Sequence, residues 1–238
     1  MRIALVGYGK MGKAIEKIAF QRGHEVVAII HSSNAGELND ISVENTDVVI
    51  EFTRPDLAPL HLTTLLSKGV PVVCGTTAWH TQEADIYKLA KEKGGCLVHA
   101  SNFSPGVNLF FVLNDYLAKM MAKWPEYKVE ITETHHTAKL DAPSGTAITL
   151  ANGILTQRPD LTKWVEGQPA NENEILIHAI RKDPAPGTHS IAYQSAIDDI
   201  TITHEAHNRE GFATGAVMAA EWSMGKKGVF SMRDVLSL

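Results

Sequence analysis

Five short apolar runs punctuate the first hundred residues, at 3–6, 26–30, 48–50, 70–74 and 96–99. Each is bounded by glycine or polar residues and is too short for a helix, so each reads as a buried strand. Amphipathic stretches separate them. One begins near Lys10, a second opens at Pro55-Asp56 and reaches about Lys68, and a third follows Thr81 and stops at Gly94-Gly95. Strand and helix alternating in this way predict a parallel sheet with crossover helices, the pattern of a nucleotide-binding α/β half.

After Asn102 the pattern changes. A helix-like stretch at about 107–123 leads into residues 127–134, where Val129, Ile131 and Glu133 share one face of an alternating run. Further strands are predicted at 174–181, 190–196 and 199–204. No helix long enough for a parallel crossover separates them, which points to a mixed or antiparallel sheet in a separate domain. Helix character returns at 211–223, where Phe212, Ala216, Ala219 and Ala220 recur at near-helical spacing and are expected to pack back on the first domain. Residues 231–236 form a short final turn.

Composition narrows the class. With 44% hydrophobic residues in 238, the chain can bury one large core or two modest ones. A net charge of −5, without a long run of Lys or Arg, makes nucleic acid an unexpected partner. The first apolar run enters a glycine loop too soon for a signal sequence, and no segment approaches the ~18 apolar residues of a membrane span, so the mature chain is expected to begin at or near Met1. Cys74 and Cys96 lack C-x-x-C spacing, which argues for neither a disulfide framework nor a zinc ribbon and makes a reducing cytoplasm the expected home.

Gly7-Tyr8-Gly9-Lys10-Met11-Gly12 is a G-x-G-x-x-G run placed directly after the first strand and before a helix. A ligand-free glycine turn is the bland explanation, but that placement favours a dinucleotide. Gly7 serves the tight turn, Gly9 lets backbone approach a pyrophosphate, and Gly12 allows close helix–strand packing, while the helix N-terminus supplies amide donors. About 20 residues further on, an NAD site usually carries a carboxylate for the ribose hydroxyls. Here the second strand ends in His31-Ser32-Ser33-Asn34. His31, Ser32, Ser33 and Lys10 can donate to a 2′-phosphate, so NADPH is acceptable, with NADH left open because Glu37 and Asp40 lie nearby. Gly75-Thr76-Thr77 and Ala100-Ser101-Asn102-Phe103 follow the fourth and fifth strands, at carboxyl ends where ligands of such sheets bind. They are candidates for nicotinamide-side contacts.

The segment from Glu133 to Ala147 carries the densest chemistry: His135, His136 and Lys139, then Asp141-Ala142-Pro143-Ser144-Gly145-Thr146 before an apolar run. Pro143-Ser144-Gly145-Thr146 reads as a helix start whose amides near Gly145 and Thr146 would receive a carboxylate, with His136 and Lys139 adding positive charge. A single loop histidine or lysine is usually structural or solvated. Three such residues beside an anion-binding helix start point to a site. His204-Glu205-Ala206-His207 lacks the H-E-x-x-H spacing of a zinc site, and no metal is expected.

Glu133, His135, His136, Lys139 and the run Asp141 to Ala147 closely resemble the signature of the dihydrodipicolinate reductase family. The likeness extends over nearly the whole chain, through the Gly7 loop, Phe52-Thr53-Arg54-Pro55, Gly75-Thr76-Thr77, Asn102-Phe103-Ser104, Gly106-Val107-Asn108 and Met232-Arg233-Asp234-Val235-Leu236. It implies an α/β protein in which an N-terminal Rossmann-type parallel sheet (1–103) is completed by the C-terminal helix (209–238). Residues 104–208 would form an inserted α+β domain with a mixed sheet, for substrate binding and tetramer formation.

The implied activity is reduction of a cyclic dicarboxylic imine: hydride passes from NADPH or NADH to dihydrodipicolinate, formed by dehydration of 4-hydroxytetrahydrodipicolinate, giving tetrahydrodipicolinate for lysine synthesis through diaminopimelate. By the same resemblance Lys139 is the proton donor and His135 an acid/base or polarising group, while His136, Ser144, Gly145 and Thr146 bind carboxylate. Arg209 is expected near the site. The chain departs from the family at Thr137-Ala138, where basic residues are frequent, at Ala78-Trp79, where Gly-Phe is frequent, and in a compressed stretch at 156–173. A reductase of another imine would lack the segment from Glu133 to Ala147, and a dinucleotide sensor without turnover would not need Lys139.

Overall fold

The structure, a computed structural model, describes residues 1–168 and 171–238. The chain divides into two compact units, one of Met1–Pro105 with Arg209–Leu238 and one of Gly106–Asn208.

In the first unit, strands β1 (Arg2–Val6), β2 (Glu25–Ile30), β3 (Val48–Glu51), β4 (Val72–Cys74) and β5 (Cys96–His99) are joined by β11 (Gly228–Phe230) in one sheet. Its order is β11-β5-β4-β3-β1-β2, and every pairing is parallel. Alternate residues of these strands enter two separate cores, as a pleated strand covered on both faces requires. Ala4, Val6, Val49, Val72, Cys74 and Leu97 pack with α2 (Ala58–Ser67) and α3 (Glu83–Glu92). Ile3, Leu5, Val48, Ile50, Val73 and Val98 pack with α1 (Lys10–Gln21), α6 (Glu210–Ser223) and α7 (Met232–Leu236). Helix α6 therefore packs on the first sheet, through Ala213, Ala216, Val217, Ala219 and Ala220, while Phe212 is only half-buried.

The chain leaves β1 for the β2 side and returns to the other side as β3. That reversal opens a crevice at the carboxyl ends of β1 and β3. Gly7 lies at its floor with φ +97°, and a Cβ there would stand 2.0 Å from the Phe52 carbonyl oxygen, so no other residue fits.

The second unit is built on β6 (Lys128–His135), flanked by β8 (Glu174–Arg181) on one side and β9 (Thr188–Gln194) on the other. β7 (Lys163–Glu166) and β8 run parallel to β6, whereas β9 runs antiparallel both to β6 and to β10 (Asp199–Glu205), which makes the sheet mixed. Val129 and Ile131 of β6 meet Phe110 and Leu117 of α4 (Pro105–Met121) and Leu150 and Ile154 of α5 (Gly145–Gln157) in one core. The alternation continues past Ile131, so Glu133 and His135 are buried on the same strand.

Two strands have no counterpart in the hydrophobic pattern. β7 is four residues with charged ends, and β11 is three residues beginning in glycine; each exists because a neighbouring strand offers a free edge, β8 and β5 respectively. Residues 169 and 170 of the compressed stretch lie outside the described residues. No helix among the described residues is long and apolar enough to cross a membrane.

The Ala78-Trp79 departure has a local explanation. Ala78 takes φ +63°, a left-handed conformation that glycine adopts freely, and Trp79 is buried with its indole N–H donated to the Thr76 carbonyl at 2.6 Å. An alanine held there costs roughly 1–2 kcal/mol. Ala78→Gly should therefore stabilise the protein by about 0.5–1 kcal/mol after the entropy of glycine is counted, read as a higher urea midpoint. A midpoint that stays the same or falls would show that this turn is unstrained.

Candidate active site

In the first unit the loops after β1, β3 and β4 meet around a cavity of about 210 Å³ lined by Met11, Phe52, Thr53, Pro55, Gly75, Thr76 and Thr77. Four residues singled out in the sequence, Met11, Gly75, Thr76 and Thr77, are thus brought together. Phe52, Thr53 and Pro55 join them. Gly9 is the N-cap of α1, and nothing stands within 4 Å of where its Cβ would be, leaving the helix start open to a pyrophosphate. Gly12 is buried, and a Cβ there would sit 2.3 Å from the Gly7 carbonyl oxygen. Lys10 is exposed at this helix start, while the Tyr8 hydroxyl is committed to Glu16. The fit to a dinucleotide is therefore steric as well as chemical.

At the end of β2, His31 and Ser32 are exposed. Asn34 shapes this loop by accepting from the His31 amide at 2.7 Å and donating to Ile29 O at 2.9 Å and to Glu37 at 2.8 Å. The Glu37 carboxylate is thereby held at the same loop as His31. After β5, Ala100 is half-buried, Ser101 is exposed and Asn102 is buried, accepting from the Ser104 amide at 2.9 Å. Phe103 is a core residue whose ring stands 5.7 Å from that of Phe52.

In the second unit His135 ends β6, and His136, Lys139 and Asp141 follow in a loop that leads to α5. The loop is tethered at three points to the end of β8 and the two residues that follow it. Lys182 N donates to His135 O at 2.8 Å, Arg181 donates to Asp141 O at 2.5 Å, and the Thr137 amide and hydroxyl both donate to Asp183. Thr137, a departure from the family pattern, is thus used to anchor the loop. Lys139 Nζ lies 2.8 Å from both oxygens of Asp141. Ser144 caps α5, its hydroxyl accepting from the Ala147 amide at 3.2 Å, with Gly145 exposed and Thr146 half-buried in the first turn. The space beside Gly145 is open.

Glu133 connects these parts. Both of its oxygens accept from the Ser144 amide, at 3.0 and 3.1 Å, and one also accepts from Arg181 at 3.0 Å. His135 Nδ1 and His189 Nε2 lie 3.5 and 3.6 Å from the other oxygen. At 3.5 Å the His135 contact falls short of a hydrogen bond, and His135 Nδ1 has no hydrogen-bond partner. Burial would raise the carboxyl of Glu133, but His189, Ser144 and Arg181 outweigh it and hold it at about 2. Burial first, then the neighbouring His189, lowers His135 to about 4, so its imidazole is neutral at pH 7. Burial acts upward on Asp141 too, and Lys139 overrides it, keeping Asp141 a carboxylate below its ordinary range. Glu133, His135 and His189 present ligand atoms within 4.8 Å of one another. With both Glu133 oxygens already engaged and Arg181 adjacent, the cluster is organised as a charge-compensated network and leaves a cation little to coordinate.

Sequence reasoning missed His189 and Arg181. His189 lies on β9 with its ring 5.0 Å from that of His135, and Arg181 ends β8. Neither belongs to a local motif; only the pairing of β6 with β8 and β9 delivers them, at His135↔Arg181 and Glu133↔His189. Gly187 also packs here, since a Cβ on it would stand 3.2 Å from His135 Nε2. Arg209 is the N-cap of α6 in the first unit. His204 packs against Phe110 with centroids 5.9 Å apart while His207 is exposed, so the two do not converge.

Known proteins resemble this chain over its full length. The family model described as "Dihydrodipicolinate reductase, N-terminus" matches residues 1–103, and that described as "Dihydrodipicolinate reductase, C-terminus" matches residues 106–236. A 4-hydroxy-tetrahydrodipicolinate reductase of Christiangramia forsetii is 48% identical over 238 residues, covering 100% of this chain and 98% of the relative. One from Archaeoglobus fulgidus is 36% identical, covering 99% of this chain and 100% of the relative. Among solved structures, a dipicolinate-bound dihydrodipicolinate reductase from Paenisporosarcina sp. TG-14 superposes with TM-score 0.74 at 26% identity, over 97% of each chain. Two family models that together span nearly every residue, and relatives alike from end to end, show that the chain belongs to the dihydrodipicolinate reductase family.

Proposed function

We propose that the protein reduces dihydrodipicolinate, formed by dehydration of 4-hydroxytetrahydrodipicolinate, to tetrahydrodipicolinate with NADPH or NADH, in lysine synthesis through diaminopimelate. The first unit is the dinucleotide-binding domain. The second binds substrate. The observation that carries the reading is the network around Glu133, which sets a neutral imidazole, an ammonium and an open helix start along one loop. A dicarboxylate needs donors at both ends, and a reduction needs a proton once negative charge develops.

The nicotinamide supplies the hydride. Lys139 is assigned as proton donor: its ammonium rests on Asp141, and a substrate carboxylate arriving beside it competes for the same donors. His135 carries no spare proton at pH 7, so its part is to polarise the substrate through a neutral ring. His136, whose Nδ1 is buried without a hydrogen-bond partner, and the first turn of α5 at Gly145 and Thr146 take the carboxylates. Ser144 is buried with its amide and hydroxyl committed, and so contributes by fixing that helix start.

A homotetramer formed through the second unit belongs to the same proposal. Leu109, Leu113, Tyr116, Met120 and Trp124 recur at helical spacing along α4 and just past it, and all are exposed. Apolar stripes of this extent are covered in most proteins. The number four rests on the family resemblance. A cytoplasmic setting is part of the proposal as well, consistent with the buried free thiols of Cys74 and Cys96.

The reaction is tested by following NADPH and NADH oxidation with substrate generated in situ by the dehydratase from pyruvate and aspartate semialdehyde. Turnover is expected, and Lys139→Ala should lower kcat by about 10²–10⁴-fold while leaving the NADPH dissociation constant nearly unchanged. Full turnover in that variant would remove Lys139 from the mechanism.

The state of His135 is open to NMR. Its folded value of about 4 lies below the ordinary 6.5, so the unfolded chain binds a proton first, and stability falls as pH drops from 6.5 towards 4. The ring signal that disappears in His135→Gln should keep its neutral position down to about pH 5. A midpoint near 6.5 would return His135 to the role of proton donor. Light scattering should report four chains, and Leu113→Glu combined with Met120→Glu should reduce that mass; a wild-type monomer would refute the assembly.

A further inference from the structure

The strand β3 ends in a carboxylate fully shut from solvent, Glu51. An isolated carboxylate buried there would cost several kcal/mol, and an apolar side chain would fill the same space without that cost. Glu51 instead gathers donors from three segments of chain. Thr76 Oγ1 and Cys74 Sγ donate to Oε2 at 2.7 and 3.3 Å, His61 Nδ1 of α2 stands 3.2 Å from Oε1, and the Thr53 hydroxyl donates to Oε1.

Two of these contacts involve the walls of the cofactor cavity. Thr76 Oγ1 accepts from the Thr53 amide at 2.7 Å while donating to Glu51, which forms a continuous chain from the loop after β3 to the loop after β4. The Gly75 amide donates to the Glu51 carbonyl at 2.9 Å, and a Cβ on Gly75 would stand 2.2 Å from the Phe52 ring. The two loops are therefore in contact, and the side chain that sets their spacing is Glu51, which does not itself line the cavity.

We propose that Glu51 is a positioning residue for NAD(P)H: its buried carboxylate, acting through Thr53 and Thr76, holds the two loops at the separation the nicotinamide half of the cofactor requires. This rests on the reductase reading above. An amide in place of the carboxylate keeps the volume but presents an N–H to at least one of the donors now aimed at it. The lost hydrogen bonds then fall on the cavity wall. Because the cavity wall then loses its fixed spacing, cofactor binding should weaken by about tenfold or more.

The test is steady-state kinetics of Glu51→Gln beside wild type, with NADPH binding followed by nicotinamide fluorescence in the absence of substrate. The KM and the dissociation constant for NADPH are expected to rise together by about tenfold or more, with the KM for the imine and kcat at saturating NADPH within about threefold of wild type. An unchanged NADPH affinity, or a parallel rise in both KM values, would overturn the proposal, the second because it marks general loosening of the fold. Should Glu51→Gln fail to fold, His61→Leu removes one donor from outside the cavity and should raise the NADPH dissociation constant by about threefold; no change there would count equally against the proposal. Wild-type protein that binds NADPH but reduces no imine would sink the reductase reading and leave this binding test standing.

Discussion

A carboxylate taken out of water keeps its charge only where donors replace the lost solvation, at a cost of several kcal/mol if they do not. Glu51 near the carboxyl end of β3 and Glu133 near that of β6 are both fully buried, and the chain around each is arranged to meet that demand. Thr53, His61, Cys74 and Thr76 converge on the first, and Ser144, Arg181 and His189 on the second. These partners come from segments distant in sequence, so satisfying the carboxylate also fixes the loops that carry the chemistry. Each unit thus couples the end of a strand to the start of a functional loop by the same physical means.

Electrostatics in the second unit separates two basic groups that stand four residues apart. His135 lies under Arg181 and beside His189, in a buried position that favours its neutral form. Lys139 is more open and rests against both oxygens of Asp141. One loop therefore carries a buried neutral imidazole and a more open lysine four residues apart. Glu133 ties the loop together, since its negative charge limits the fall of His135 while its bonds to Ser144 hold the start of α5.

The positions at which this chain departs from its family carry structural work of their own. Thr137 ties the loop after β6 to Asp183. Trp79 is buried beside the loop after β4, its ring tilted against that of His99 at 4.6 Å and its indole N–H bonded to Thr76 O, and the neighbouring Ala78 takes a left-handed turn. Both changes support loops without touching the residues assigned to hydride or proton transfer.

Much of the protein was legible in one dimension. Runs of Val, Ile and Leu at the right spacing predicted the strands of the parallel sheet. The glycines of the first loop predicted a dinucleotide, and the segment from Glu133 to Ala147 marked a candidate loop, because these depend on backbone sterics and local hydrogen bonding that neighbouring residues determine. β7 and β11 were not visible, since three or four residues show no period and are strands only because an edge awaits them. Nor were the partners that set the chemistry. Arg181 and His189 reach Glu133 through strand register, and His61 reaches Glu51 through helix packing. Local propensity acts between residues close along the chain, while the solvation of a buried charge is settled by whatever the folded chain brings near it, and that is why tertiary structure alone decided which groups here are charged and which are neutral.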